Sequence, residues 1–297
     1  EQLQSPEVAG ALAQADIVRI AVDEAHILAQ TQDDFRRAYA EIGHFADTLP
    51  RRPQLLALTA TATKADCRRI RDSLGMRDAK TFRTPIRRSN LRLSVKRIEA
   101  GKHGKTLETI RFQAVERVLE NWNGEDSAIV YCPTVKMVKA LHRWLKSRGY
   151  AIGKYHGKMK QAKRKHAQAA FMSEKTPIMV ATNAFSLGID KSDVRMVIHA
   201  GLPLSMDGYV QEIGRAGRDG KKSRCVLIYA KSDFERNKRI LSRAGGKKAV
   251  RRKLKRLYAL HNLIDSDGCL WREIEHHFGE KKQKRCGKCC NCVKKRK

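Results

Sequence analysis

Acidic residues are in short supply. The 297 residues hold 31 Asp and Glu against 62 Lys and Arg, a formal net charge of +31. A surface this basic repels itself and attracts polyanions, so nucleic acid is the expected partner. Aromatics are sparse at 6%, but a 41% hydrophobic fraction argues against general disorder. No apolar run approaches the roughly 18 residues of a bilayer-spanning helix, so no membrane is expected among the partners. No charged-then-apolar leader opens the chain, and its first residue is Glu1 rather than Met. The sequence therefore predicts a protein that is not secreted, bacterial-cytoplasmic or eukaryotic-nuclear, whose chain begins inside a longer one. A phosphate-binding loop is also missing. Gly101-Lys102-His103-Gly104-Lys105-Thr106 ends like one, but the pattern G-x4-G-K-[S/T] needs glycine at position 99, where Glu99 would face the phosphates. That substitution argues against a nucleotide kinase built on Lys105 and leaves a basic loop ahead of a helix.

What the chain does have is unevenly placed. Of eight cysteines, Cys67, Cys132 and Cys225 are isolated, while Cys269, Cys286, Cys289, Cys290 and Cys292 crowd the last 29 residues. Clustered thiols without an export signal read as a metal site before a disulfide framework. From Arg236 to Lys297 there are 21 Lys+Arg and 5 Asp+Glu, a net +16 that marks a separate module. Length suggests two domains, or three if one is small.

Before that module, strands and helices alternate. Ser5-Pro6-Glu7 opens a helix with a capping hydroxyl, a proline at the first helical position and an acid in the first turn. Strands are expected at Ile17–Val22 and Gln54–Leu58, with a helix over Asp34–Ala46. Thr63 and Asp66 form a capping-box pattern at the start of a helix running to Leu74. Thr81 to Asn90, with Pro85 and several arginines, reads as a connector. A second series places strands at Leu91–Ile98, Ala128–Tyr131, Ile152–Tyr155, Ile178–Ala181, Val194–His199 and Cys225–Tyr229. Helices fill the gaps near 106–122, 134–148, 160–173 and 205–214. Such alternation predicts parallel sheets covered on both faces. From about residue 232 the pattern becomes helical.

Five constellations carry chemistry. Asp23-Glu24-Ala25-His26 follows a strand, where ligand sites of open parallel sheets lie. Two adjacent acids repel, and Mg²⁺ held with nucleotide phosphates offsets that cost. One acid can serve the metal while the next orients or deprotonates a water. The same acids also suit the N-terminus of the helix that follows. Thr59-Ala60-Thr61, at the second strand end, can relay hydrogen bonds between sites or simply turn the chain. Gln211-Glu212-Ile213-Gly214-Arg215-Ala216-Gly217-Arg218-Asp219-Gly220 puts two arginines on one side of a turn, with glycines leaving their guanidinium forks open to phosphate oxygens. Thr182 through Asp190 is a strand end, a small-residue turn and an acid. Thr182 could contact phosphate and Asp190 a ribose hydroxyl. Cys269-x16-Cys286-x2-Cys289-x2-Cys292 can close a tetrahedral Zn²⁺ site, with Cys290 able to stand in for Cys289. A basic neighbourhood favours the thiolate.

The order Asp-Glu-Ala-His, then Thr-Ala-Thr, then Gln-Glu-x-Gly-Arg-Ala-Gly-Arg-Asp-Gly resembles the RecQ family of superfamily 2 DNA helicases, and the four-cysteine tail supports the same resemblance. It implies an α/β fold of two RecA-like parallel-sheet lobes, the first incomplete, followed by a small helical zinc-binding module. The implied boundaries are 1–90, 91–232 and 233–297. It implies ATP with Mg²⁺ between the lobes, Zn²⁺ in the module, and DNA, single-stranded or at duplex junctions, across both lobes. By the same resemblance Asp23 is the metal-linked acid, Glu24 the acid that activates water, and His26 the coupling residue of that motif. Thr59 and Thr61 couple as well. Ile129-Val130-Tyr131-Cys132 and Tyr155-His156-Gly157 match the segments that open the second lobe. Gly188 and Asp190 join the ATP-binding set. Gln211, Arg215 and Arg218 complete the catalytic set, with Arg218 as arginine finger. Phe35, Arg36, Tyr39, Thr134, His156 and Thr182 fall on nucleic-acid positions, and Cys269, Cys286, Cys289 and Cys292 on zinc ligands.

The departures from the family pattern are specific. Thr31, Gln32 and Asp33 stand where the family has DNA-sensing Trp and His, which removes about 1–3 kcal/mol of base stacking. Gly201 replaces an acid, and the adenine-reading Gln and P-loop Lys have no counterpart here. The resemblance implies an ATP-dependent 3′→5′ DNA helicase of repair and recombination, with these 297 residues inactive in hydrolysis on their own. The rival reading is a nucleic-acid-binding relative that has lost the motor.

Overall fold

The computed structural model describes the chain apart from residues 1, 2, 4, 31–36, 101–104, 121, 123, 125, 187, 188, 244, 282, 283 and 295–297. Helix α1 (Pro6–Ala13) begins at the expected proline, but the Ser5 side chain makes no capping hydrogen bond. Strand β1 (Arg19–Val22) pairs in parallel with β2 (Gln54–Ala57). Between them lie α2 (His26–Gln30) and α3 (Arg37–Thr48), and α4 (Lys64–Leu74) follows. Val22, Ala25, Leu28, Ala29, Ile70 and Leu74 form the core of this first lobe. The Thr63/Asp66 capping box is complete, and Gly75, with φ of 58°, ends α4 in the left-handed conformation that glycine adopts without cost.

The connector from residue 77 to 90 contains no helix or strand. It leads into a six-stranded parallel sheet built from β3 (Leu91–Arg97), β4 (Ser127–Tyr131), β5 (Ile152–Tyr155), β6 (Ile178–Ala181), β7 (Val194–His199) and β8 (Ser223–Tyr229). Their spatial order is β3-β8-β7-β4-β6-β5. The central strands are near-continuous apolar runs because both faces are covered. Successive side chains point to opposite faces. Ile129, Tyr131, Met179, Ala181, Cys225 and Leu227 therefore join one core, while Ala128, Val130, Ile178, Val180, Val226 and Ile228 join the other.

The second face is covered by α5 (Leu107–Leu119) and α6 (Val135–Lys146), which supply Phe112, Val115, Val138 and Leu141. The 3-10 turn Asn183–Ser186, α7 (Gln161–Met172) and α8 (Met206–Ile213) supply Phe185, Phe171, Met206 and Tyr209 to the first. Helices α9 (Lys231–Ser242), α10 (Lys247–Asp265), α11 (Leu270–His277) and α12 (Cys290–Lys294) complete the chain. Leu257, Leu260, Leu263, Trp271 and Ile274 of these helices belong to the same core as the sheet. The basic C-terminal helices are thus fused to the second lobe by packing, and Trp271 Nε1 donates to Leu91 O at 3.2 Å.

Candidate active site and metal centre

The first half-site forms where β1 and β2 end. Ala25 N donates to Leu58 O at 2.9 Å, holding the two strand ends together. Glu24 N donates to Asp23 Oδ1 at 2.7 Å. Glu24 has φ of 50°, an uncommon conformation for a non-glycine residue and one that concentrates at functional sites. His26 Nδ1 lies 3.1 Å from Glu24 Oε2 and 3.2 Å from Thr59 Oγ1. The Thr59 hydroxyl donates to Thr61 O at 3.4 Å and accepts from Thr61 N at 3.3 Å. One hydrogen-bonded path therefore runs from the acidic turn through a buried imidazole to the Thr-Ala-Thr turn. Thr61 is buried, and its hydroxyl has no hydrogen-bond partner among the described residues.

The second half-site lies on and after α8, whose N-cap Ser205 accepts from Gly208 N at 3.1 Å. Gln211 Nε2 donates to Glu24 Oε1 at 3.1 Å, so the two lobes meet at this pair. Glu212, the next residue, turns inward. Its Oε2 lies 2.8 Å from His199 Nε2 in a buried pair beneath Tyr131 and Tyr209. Arg215 Nη1 donates to Ile189 O at 3.0 Å. Burial pulls the Arg215 guanidinium below its ordinary pKa, with Arg218 acting the same way, while Tyr131, Glu24 and Asp190 oppose the shift. Arg218 pairs with the exposed carboxylate of Asp190, so the acid suggested for a ribose contact holds the second arginine.

Sequence reasoning missed what shapes the arginine loop. Arg88 donates to Gly214 O, Ala216 O and Gly217 O, and Asn90 Nδ2 donates to Gly217 O at 2.8 Å. Gly217 has φ of 53°, and a Cβ there would lie 2.5 Å from Asn90 Nδ2. The only sequence signal was the basic connector itself. Gly201, the departure from the family acid, has φ of 144°, and a Cβ there would lie 3.1 Å from Pro133 Cγ, so glycine suits its backbone.

Of the residues expected at nucleic acid, Thr134, His156 and Thr182 follow the carboxyl ends of neighbouring strands β4, β5 and β6. The Thr134 hydroxyl caps α6, accepting from Met137 N at 3.2 Å. Thr182 N donates to Tyr155 O at 3.1 Å. His156 is buried, and its Nδ1 has no hydrogen-bond partner among the described residues. Burial, then Lys139 and Lys154, lower its pKa. Tyr39 packs against the first-lobe core. Phe35, Arg36 and Gly188 lie outside the described residues.

At the C-terminal end, Sγ atoms of Cys269, Cys286, Cys289 and Cys292 all lie within 4.8 Å of one another. A tetrahedron with Zn–S of about 2.3 Å has edges of about 3.8 Å, and Cys286 and Cys292 are 3.9 Å apart. Backbone amides of Cys286 and Cys289 donate to Cys269 Sγ and Cys286 Sγ at 3.2 and 3.3 Å. Asn291 Nδ2 pins the loop to Ser266 O and Gly268 O at 2.7 and 2.8 Å. Burial pushes the Cys292 thiol up, but hydrogen bonds involving Arg285, Cys289, Gly287 and Cys269 outweigh it and bring its pKa to about 6. Cys290 Sγ lies 3.2 Å from Asn291 Oδ1, and the four clustered sulfurs include that of Cys289 and not that of Cys290. The donor set fits Zn²⁺.

Comparison with known proteins adds two domain matches and a set of relatives. Residues 110–220 match the helicase conserved C-terminal domain and residues 231–293 the RecQ zinc-binding domain. The chain is 35% identical over 296 residues to the ATP-dependent DNA helicase RecQ of Bacillus subtilis, covering 99% of itself and 48% of that protein. It is 36% identical over 284 residues to the mouse bifunctional 3′-5′ exonuclease/ATP-dependent helicase WRN, covering 93% of itself and 20% of that protein. The chain thus spans about half, or less, of these relatives. Among solved structures, Dbp5 of S. cerevisiae bound to RNA and ADP BeF3 superposes with a TM-score of 0.61 at 19% identity, over 89% of this chain and 57% of that one. The fold is therefore that of two RecA-like lobes, followed here by the helical zinc-binding module.

Proposed function

The chain belongs to the RecQ helicase family, and from that premise we propose that it supplies the facing acidic and arginine halves of an ATP-driven DNA helicase that moves 3′→5′ in repair and recombination. The observation that carries this reading is the 3.1 Å contact between Glu24 of the first lobe and Gln211 of the second, with Arg215 and Arg218 on the turn that follows Gln211. In the proposed reaction Asp23 would hold the magnesium that accompanies the nucleotide. Glu24 orients and deprotonates the attacking water, and its carboxylate is shared with His26, which passes the state of the site to Thr59. Arg215 and Arg218 face the charge that grows on the transferred phosphoryl group. Release of Arg218 from Asp190 is the step that aims it. Single-stranded DNA lies across the strand ends that carry Thr134, His156 and Thr182, with the backbone drawn by the basic surface. Cys269, Cys286, Cys289 and Cys292 would hold zinc, which cross-links the end of the chain to the start of α11.

The test is DNA-stimulated ATP hydrolysis by the longest natural polypeptide containing these residues. Glu24→Gln is expected to lower kcat by about 10²–10⁴-fold with little change in KM. Arg218→Ala is expected to lower it by about 10³-fold or more. Near wild-type turnover in Glu24→Gln would refute the motor reading and leave a nucleic-acid-binding protein.

A further inference from the structure

Away from the cleft, a single guanidinium connects the two lobes with the zinc module. Arg256 projects from α10, which is packed on the second lobe. Its Nη2 donates to Asp66 Oδ1 of α4 at 3.0 Å, and its Nε lies 3.8 Å from Asp207 Oδ2 of α8. Asp66 caps the helix that begins just after Thr59–Thr61. Asp207 stands four residues before Gln211, on the same side of its helix. Arg256 therefore joins the two helices whose neighbours meet at Glu24 and Gln211.

The two acids are unequally served. Asp66 also accepts from Thr63 N at 3.1 Å and from the Thr63 hydroxyl at 2.7 Å, with Arg69 Nη1 at 3.8 Å. Asp207 is 5% exposed, and among the described residues neither of its carboxylate oxygens has a hydrogen-bond partner. The N-terminus of α8 gives Asp207 a favourable field but no donor. His277 faces the same acids. Burial, reinforced by Arg256 and His276 and opposed by Asp207 and Asp66, lowers its pKa. A buried carboxylate without donors is costly, and closing the 3.8 Å gap by about 1 Å would give it a charge-assisted bond.

Arg256 and Asp207 belong to one body, and Asp66 to the other. We infer that Arg256 is a positioning residue that switches between the two acids, holding Asp66 when the lobes are together and falling back on Asp207 when they part. Asp207 is then a competitor that keeps the closed arrangement from being too stable to reopen. This inference deepens the motor reading and rests on it for what closure accomplishes.

The experiment measures the distance between the lobes without nucleotide. Spin labels are introduced at Asp72 and Lys146 on a non-canonical amino acid that leaves the cysteines untouched, in the full 297-residue chain. Asp66→Asn is expected to shift the distribution to longer distance. Asp207→Asn is expected to shift it to shorter distance. Each change should be at least about fivefold in the ratio of short to long populations. In an Arg256→Met background neither Asn substitution is expected to shift the distribution. Unchanged zinc content and far-UV circular dichroism define which variants have folded. The two Asn variants suffice if Arg256→Met does not fold. Shifts in the same direction for Asp66→Asn and Asp207→Asn, or no shift in either, would overturn the switch. A failed motor reading would show instead as ATP turnover that survives Glu24→Gln while the opposite distance shifts of Asp66→Asn and Asp207→Asn are still seen.

Discussion

Glu24 has an uncommon backbone conformation and two side-chain partners, His26 in its own lobe and Gln211 in the other. A residue held in this way carries strain that its surroundings must over-determine. Gly217 is the converse case, a position where only the absence of a side chain is tolerated. Gly217→Ala is expected to destabilise the chain by about 1–3 kcal/mol, read from urea unfolding, because its Cβ would intrude on Asn90 Nδ2, Ser223 Oγ and Lys221 O. His156 gives a pH signature. Its pKa lies below the ordinary histidine value because burial, Lys139 and Lys154 disfavour the cation. The unfolded chain therefore binds the proton first, and the stabilising contribution of the neutral ring is lost as pH falls below about 6.5. Calorimetry between pH 7.5 and 5 should show a falling Tm, with a shallower fall in His156→Gln. An unchanged slope would remove His156 as a source.

At the scale of elements, the four terminal helices form one hydrophobic core with one face of the six-stranded sheet, and four cysteines gather where α11 and α12 begin. A site of four thiolates contributes folding energy when it is filled. Cys286→Ser is expected to lose about one zinc per chain by elemental analysis and to raise amide exchange in α11 and α12. Cys290→Ser is expected to keep both zinc and protection, because Cys290 Sγ points to Asn291. Loss of metal in Cys290→Ser would show that the ligand set is wrongly assigned. The module also grips the connector. Arg83 Nη1 donates to Phe278 O at 3.2 Å, Ile86 N donates to Glu280 Oε1 at 2.7 Å, and Arg87 pairs with the buried Glu275. Unfolding of the module should therefore loosen the path between the lobes as well as its own helices.

Across the whole molecule the governing quantity is charge. A net +31 makes association with a phosphate backbone a counterion-release process. Single-stranded DNA affinity is expected to fall by about 10³–10⁵ between 50 and 200 mM salt if 6–10 phosphates are contacted. A flat titration by fluorescence anisotropy would count against both the motor and the binding-protein readings. Among the described residues no helix is long and apolar enough to cross a membrane. Among the described residues, Glu24 with Gln211 and Arg256 with Asp66 join the lobes through polar pairs that can exchange partners.

The sequence by itself determined the parallel α/β order, the strands Ile152–Tyr155, Ile178–Ala181 and Val194–His199 to the residue, the Thr63/Asp66 cap and the clustered cysteines as a group. These are local signals: apolar runs bounded by turns, a hydroxyl three residues before an acid, thiols at ligand spacing. Only the tertiary structure decided that Glu24 meets Gln211 across 187 residues of chain, that Asp190 pairs with Arg218, that Cys289 rather than Cys290 faces the other thiols, and that Arg88, Asn90 and Arg256 hold distant segments in place. Each of these depends on which side chains the packing of lobes and helices brings within 3–4 Å. Spacing along the chain fixes the face a residue occupies on its own element, but a partner in another element is chosen by how the two elements are packed.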